Sequence, residues 1–461
     1  MRKENNSKGH LKENHKESIT HKKQKALKIS IKEGSASGFS ESIGSTYIVP
    51  FVKELQGNAL HVGILSAISG LISPLAQFFG SNLMEKNSRK KIVTRFTLLQ
   101  AFLWIPLALI GILFWKDIAS SYLILALIII YTLLAAAGGI VYPAFFSWMG
   151  DIVPEKTKGD YFGKRNKIIG IVSLVALLAA TLILSLLKNF VLSILLLSSF
   201  FILAFIAKFI SYKLLKKQYE PKFKLKKDYY FSIWAFIKRF DNFGKFAAHH
   251  ALFNFAIMIA SPFFAIYMLE ELNFSYITFT LVTLSSSVYY LLFTPIMGRF
   301  SDRYGNKKLL HLSSLIFSIN PLIWIFIKSP LLLIFIPQLL IGLANAALVI
   351  GVTNFTYDSV KPKHRGLCAA YFNILTGIGI FIGSLLGGFL IQYLHIFSIS
   401  PYILVFALAF VMRTLASLLF LPRIKEVKKV SRLPPMHINI THPFKTFHSE
   451  IGWFRKISTK E

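Results

Sequence analysis

The chain of 461 residues carries one apolar run after another, each long enough to cross a bilayer. Crossing the hydrocarbon core as a helix takes about 20 apolar residues. Twelve runs qualify: 36–52, 60–81, 96–115, 119–147, 168–187, 190–212, 246–269, 275–298, 309–327, 331–356, 367–394 and 400–421. Apolar residues make up 54% of the chain and charged residues 16%, which is more apolar surface than a water-soluble core encloses. Lipid offers no partners for backbone N–H and C=O groups, so runs of this length are expected to be helices. Among Asp, Glu, Lys and Arg, only Glu41, Lys208 and Arg413 fall inside the runs.

A net charge of +31 invites a nucleic-acid reading, but the charge sits in the short segments between runs. With both termini on one side, 46 of the 52 Lys and Arg lie on that side, four (Lys53, Lys116, Lys188 and Lys328) on the other, and two within runs. This positive-inside pattern predicts a multi-pass cell-membrane protein with both termini cytoplasmic. It also supports the first run, which is rich in Ser and Gly and carries Glu41. Without that span, ten basic residues of the N-terminal tail would lie outside. The lysine-rich opening lacks the short apolar region of a cleavable signal. Cys368 is the sole cysteine, so no intramolecular disulfide is expected.

The predicted organisation is a basic tail (1–35), a six-span half (36–212), a linker (213–245), a second six-span half (246–421) and a basic tail (422–461). In the linker, Ile233, Trp234, Phe236, Ile237 and Phe240 lie beside Lys238 and Arg239, which suits a helix among lipid headgroups. Phe444, Phe447, Ile451 and Phe454 repeat that spacing in the last tail. The plainer reading is loose basic segments touching anionic lipid. No base-reading module accompanies them, so no nucleic-acid partner is expected.

The halves repeat each other. DIVPEKTKGDYFGKRN (151–166) and DSVKPKHRGLCAAYFN (358–373) align at an offset of 207. The match pairs Asp151 with Asp358, Lys158 with Arg365, Gly159 with Gly366 and Asn166 with Asn373. LAFIAK (203–208) and LAFVMR (408–413) align at 205, which pairs Lys208 with Arg413. Gly80 and Gly298 close spans two and eight. Six-span halves related by an axis along the membrane normal are a transporter design.

GRFSDRYGNKK (298–308) resembles the signature loop of the Major Facilitator Superfamily, and the Asp-x-Val-Pro after span four is similar to it too. The resemblance covers 36–421. It implies an all-α integral membrane fold of about twelve transmembrane helices in two pseudo-symmetric six-helix bundles. It further implies that spans one, four, seven and ten line a central cavity. The first copy of the loop departs from the pattern, with Met84 in place of Asp and Asn87 in place of Gly. Span four lacks the arginine of many proton-coupled members, and span five lacks the Gly-Pro motif of antiporters, so the coupling mode stays open.

By the same resemblance, Gly298, Asp302, Arg303, Gly305 and Lys307 form a gating loop that grips the start of span five, at Lys164, Arg165 and Asn166. The plainer reading is a loop that holds topology by charge. Asp151 with Lys158, and Asp358 with Arg365, are candidate pairs at equivalent ends, close to Asn166 and Asn373. Lys208 and Arg413 read as anchors whose long side chains snorkel to the interface. Glu41 differs, because a shift of 217 lands on Met258 and the repeat gives it no charged counterpart. An acid within a span by default marks a functional position. It is expected to bind a proton or a cationic group in the cavity; the alternative is a solvated carboxylate near Lys32. Tyr47, Tyr131, Tyr142, Asn254, Asn345, Asn354 and Tyr357 are the other candidate cavity residues, weighed against helix-to-helix bonding. Gly379, Gly383 and Gly387 should admit a close neighbour to span eleven.

The expected function is secondary active transport of a small solute by alternating access, by a monomer, with a proton as candidate coupling ion. The alternatives are a lipid-handling flippase of the same fold and, behind it, an intramembrane enzyme. No metal-ligand spacing, nucleophile elbow or phosphate loop appears, so no cofactor, metal or catalytic residue is expected.

Overall fold

A computed structural model describes residues 2–84, 86–154, 158–187, 190–221, 236, 238, 241–360, 365–394 and 399–427. For residues 2–20, 121, 158–160, 163, 190–192 and 365–367 it gives the backbone alone. The C-terminal tail beyond 427 and most of the 222–240 segment lie outside the described residues. The chain forms two compact units, Met1–Lys227 and Asp228–Glu461. All regular structure among the described residues is helical.

The first unit holds α1 (Arg2–Ile43), a 3-10 turn (Ser45–Tyr47), α2 (Ile48–Glu54), α3 (Ala59–Leu83), α4 (Arg89–Trp115), α5 (Ser120–Ile152), α6 (Lys158–Leu186) and α7 (Phe190–Lys217). The second holds α8 (Asn242–Met258), α9 (Phe263–Glu270), α10 (Tyr276–Tyr304), α11 (Asn306–Phe326), α12 (Pro330–Phe335), α13 (Pro337–Ser359), α14 (Arg365–Tyr393) and α15 (Pro401–Phe420). Eleven described helical segments are long and apolar enough to cross a membrane. The twelfth span is the first, where the end of α1, the turn and α2 share the crossing. Its Ser, Gly and Glu content keeps it below the hydropathy of the others. The fold is therefore the all-α, twelve-helix, two-bundle membrane architecture that the sequence implies.

Helix ends follow local chemistry. Asn58 caps α3 in a reciprocal box with His61. Ser88, Asp241 and Ser275 accept N–H bonds at the starts of α4, α8 and α10. Spans seven and ten are each broken. Pro262 separates α8 from α9, and Ile336–Pro337 separates α12 from α13. Proline removes a backbone donor, so carbonyls near such breaks need other partners.

The same packing recurs in both units. In the first, α1 packs on α6 and α7, α5 on α3 and α4, and α4 on α7. In the second, α8 packs on α14 and α15, α13 on α10 and α11, and α11 on α15. Span for span these are the same pairs, so the repeat read from short motifs is also a repeat of contacts. Outside the bundles, Phe79, Leu125, Leu291, Phe326 and Leu418 are exposed, an apolar exterior suited to lipid.

Two expectations change. The N-terminal tail is not separate from the first bundle, because α1 runs unbroken across residue 35 and buries Ala26, Ser30 and Glu33. Phe236 does not lie among headgroups; it is buried against Phe243 and Tyr371, at ring distances of 6.0 and 5.6 Å. Two aromatic partners in a bundle hide more of the ring than an interface would.

Gly379, Gly383 and Gly387 line one face of α14. A Cβ at these sites would run into the backbone oxygens of Ala251, Phe255 and Ile259 on α8 and the turn after it. Backbone touches backbone here, so the contact cannot be relieved by a side-chain rotation. Gly383→Val should destabilise the purified protein by about 1–3 kcal/mol, as overpacking does, read as a lower thermal midpoint. An unchanged midpoint would show that α14 can step away from α8 freely.

Candidate functional site

Each unit has a cavity of its own, with polar groups set in a largely apolar wall. In the first, a cavity of about 280 Å³ is bordered by Glu33, Ser37, Glu41, Gln100, Tyr142, Arg165, Lys208 and Ser211, among others. The α1 contribution is a stripe at 33, 34, 37, 38 and 41, which is one helix face. Lys208, on α7, is buried and reaches across to α1. Its Nζ donates to Ser37 Oγ at 2.8 Å and to Glu41 Oε1 at 3.3 Å. The pair is unequal in exposure, with the Lys208 side chain 7% accessible and that of Glu41 64%. Among the described residues Glu41 is the carboxylate that Lys208 contacts directly, and it is open to the cavity.

Two turns before Glu41 on α1, Glu33 is buried and holds a second charged group. Ser211 donates to Glu33 Oε1 at 3.0 Å, and Arg165 Nη2 donates to Oε2 at 3.4 Å. Arg165 Nε also donates to Ser30 Oγ at 3.1 Å, and its guanidinium lies over Phe145 at 5.4 Å. The acid, the guanidinium and the hydroxyls satisfy one another, which is the condition for keeping a carboxylate out of water. This pair fastens α1 to α6 and α7 with both partners largely buried, whereas Glu41 of the other pair is exposed.

In the second unit a cavity of about 300 Å³ is lined by α8, α9, α11, α13 and α15. Asn254, Asn320, Gln338 and Asn345 supply amides; Phe264, Phe317 and Trp324 supply rings; Arg413 supplies the one charge on the lining. Asn254 donates to His250 O at 2.8 Å and Asn320 to Pro337 O at 2.9 Å, so both are held in place. Met258, the positional mate of Glu41, also lines this cavity.

Several sequence expectations are corrected. Lys208 and Arg413 do not snorkel to an interface. They are 6% and 1% exposed and bond inside their bundles, because side chains and carbonyls of neighbouring helices there accept from them. Tyr47 lines neither of these two cavities; it is buried and hydrogen bonded to Thr181 Oγ1 at 2.6 Å on α6. Asn354 bonds Ser301 Oγ at 3.0 Å near the signature loop, away from the cavity lining. Tyr357 is exposed and lines neither cavity. Of the candidates, Glu41 and Tyr142 share the first cavity, and Asn254 and Asn345 share the second. Spans three, six, nine and twelve contribute to the linings as well as one, four, seven and ten. Glu33, Ser37, Gln100 and Ser211, and Gln338 and Trp324, were not singled out in the sequence. A polar stripe at helical spacing within α1 was the available signal for the first two.

The gating-loop residues form a different, duplicated arrangement. Asp151 pairs with buried Arg89 at 2.7 Å, and the side chain of Lys158 lies outside the described set. Asp358 accepts from Asn306 Nδ2 at 2.8 Å, and the side chain of Arg365 is likewise not described. Arg89 and Asn306 are equivalent first residues of α4 and α11. Each of these helices is also capped by a glutamate from beyond the sixth span of its half. Lys90 N–H donates to Glu220 Oε1 at 3.1 Å, and Lys307 N–H donates to Glu426 Oε2 at 2.7 Å. Gly305 sits at φ +94°, and a Cβ there would collide with the Glu426 carboxylate. Asp302 and Arg303 are exposed at the end of α10, Asn166 is exposed on α6, and a Cβ on Gly298 would meet open space. Asn373 is half-buried on α14. Met84 packs on the cluster of Trp148, Met149 and Ile152, so the Asp missing from the first loop is replaced by an apolar contact.

The family model of the Major Facilitator Superfamily matches residues 34–243 and 246–453, one match for each half. The chain belongs to this superfamily. Among solved structures it is similar to a mutant of the nucleoside transporter NupG, with 16% identity, TM-score 0.64, 88% of this chain and 100% of that one covered. It is also similar to an inward-facing bacterial homologue of the human lysosomal transporter Spinster (13% identity, TM-score 0.58, 88% and 99% covered). A bacterial homologue of the iron transporter ferroportin gives 14% identity, TM-score 0.58, and 87% and 98% coverage. No curated protein matches it by sequence. Membership of the superfamily is what assigns this chain a transport role. Identities this low carry the fold and leave the cargo undetermined.

The duplicated caps generate a stability prediction. Glu426→Ala removes the acceptor for the first turn of α11 and should cost about 0.5–2 kcal/mol, the range for losing a helix N-cap. A thermal midpoint equal to that of the wild type would show that this carboxylate does not hold the signature turn.

Proposed function

We propose that this superfamily member is a secondary transporter of the cell membrane. It moves a small polar solute by alternating access, with Glu41 and Lys208 as the coupling site and both termini in the cytoplasm. The observation that carries this is the pair itself. A lysine 7% accessible is partnered by a carboxylate 64% accessible, at 3.3 Å, on the wall of a cavity. A buried ammonium without its counter-ion is unfavourable by several kcal/mol, so the state of Glu41 is felt by α1 and α7 together. A proton on Glu41, or a cationic group of a solute taking the place of Lys208, would break the pair. Either event changes which packing of α1 against α7 is favoured, and a ligand shifts a conformational equilibrium only through such differential contacts. The Arg165–Glu33 pair supplies the fixed point, since its charges and the hydroxyls of Ser30 and Ser211 already satisfy one another.

The test is a charge-pair cycle in proteoliposomes. Glu41→Gln should remove the dependence of uptake on an imposed pH gradient and lower thermal stability by leaving Lys208 unpaired. Lys208→Gln combined with Glu41→Gln should recover stability while leaving uptake uncoupled. Gradient-driven uptake at the wild-type rate and pH profile in Glu41→Gln would exclude the pair as the coupling site.

A further inference from the structure

The two halves match a buried cation with a buried cation but do not match its counter-ion. Lys208 on α7 and Arg413 on α15 are equivalent residues of the repeat, and each lines the cavity of its own unit. In the first unit the cation faces Glu41. In the second, the position equivalent to Glu41 is Met258, which lines the same cavity as Arg413 and carries no charge.

Arg413 is 1% exposed, and every acceptor that it uses is neutral. Nε donates to Ala256 O at 3.3 Å, Nη1 to Phe317 O at 2.8 Å, and Nη2 to Ile257 O at 2.7 Å and to Ser261 Oγ at 3.4 Å. The two α8 carbonyls lie where span seven breaks before Pro262, so the guanidinium takes up carbonyls near the broken end of the helix. Carbonyl dipoles at a helix C-terminus favour a cation, but they do not neutralise it. Among the described residues no carboxylate pairs with Arg413. A guanidinium offers five N–H groups, and four are used, which leaves one on Nη1.

The rest of the cavity is arranged for a ligand. Gln338 and Asn345 lie seven residues apart on one face of α13, both on the cavity wall. Neither has a hydrogen bond to protein among the described residues. Trp324 and Phe264 lie in tilted contact on the lining, ring centroids 4.8 Å apart, and offer an aromatic wall. An uncompensated positive charge, idle amides and aromatic rings around about 300 Å³ are complementary to one class of molecule.

We propose that the second-unit cavity binds the anionic group of a small organic anion, a carboxylate or a phosphate ester carrying a planar or apolar body. The anion pairs with Arg413, which is already oriented by the α8 and α11 carbonyls. Gln338 and Asn345 bond the polar edges of the ligand, and Trp324 packs on its body. The loss of an acid at Met258 is what leaves the charge for the ligand to satisfy. This deepens the transport reading by naming a cargo class, but it is tested by binding alone, so it stands or falls separately from coupling at Glu41.

The experiment is thermal unfolding of the purified full-length chain in detergent with four matched probes: benzoate, phenyl phosphate, benzamide and benzylamine. Benzoate or phenyl phosphate should raise the midpoint by about 2 °C or more near saturation, and the neutral and cationic probes should not. Asn345→Asp places a carboxylate on the same wall without touching the bonds of Arg413. It should fold as well as the wild type and weaken binding of the anion about tenfold or more. Asn345→Ala, which adds no charge, should weaken it less. Equal stabilisation by benzamide or benzylamine, no stabilisation by any probe, or anion binding unchanged in Asn345→Asp would each overturn the proposal. A response to phenyl phosphate without one to benzoate would mark the phosphate arm, and the reverse would mark the carboxylate arm.

Discussion

Lipid withholds hydrogen-bond partners and counter-ions, and every other feature of this protein follows from that. Backbone groups close on themselves in helices, and the few that cannot, at Pro262 and Ile336–Pro337, fall where polar side chains gather. Charges are admitted only where something answers them. Arg165 is answered by Glu33 and Ser30, Lys208 by Glu41 and Ser37, and Arg413 by carbonyls of α8 and α11. Because each buried charge is so costly, three within apolar runs carry more information than the many in the loops.

Duplication makes that information readable. Both halves pack their helices in the same pairs, cap the third span with a glutamate from beyond the sixth, and place a cation at the same point of the sixth span. What both halves share belongs to the architecture. What only one half has is free to serve a solute or an ion. On that criterion Glu41 in the first half, and the uncompensated charge of Arg413 beside Met258 in the second, stand out from a chain rich in basic residues.

The two cavities divide the chemistry. The first is a network of acid, lysine, arginine and hydroxyl whose members are bound to one another, and Glu41 is the acid within it most open to change. The second has one cation, several amides and a wall of rings, with idle donors and acceptors facing inward. A site that couples needs groups that can exchange partners. A site that binds needs groups whose partners are missing until the ligand arrives.

Span count, the repeat and the superfamily were legible in the sequence. Hydropathy and the positive-inside pattern act on segments, and they need no knowledge of neighbours. The matched pair Lys208 and Arg413 was legible too, but not their destination. A long cation near a helix end can snorkel outward or turn inward, and only the positions of Ser37, Glu41 and the α8 carbonyls decide which. For the same reason Tyr47 and Asn354 could not be separated from Tyr142 and Asn345 by residue type, since a phenol or an amide serves a helix contact as readily as a cavity. Sequence determined which groups must be buried in lipid. Tertiary structure decided which partners they found, because the partners of Lys208 and Arg413, 96 to 171 residues away along the chain, are set by packing and leave no local pattern.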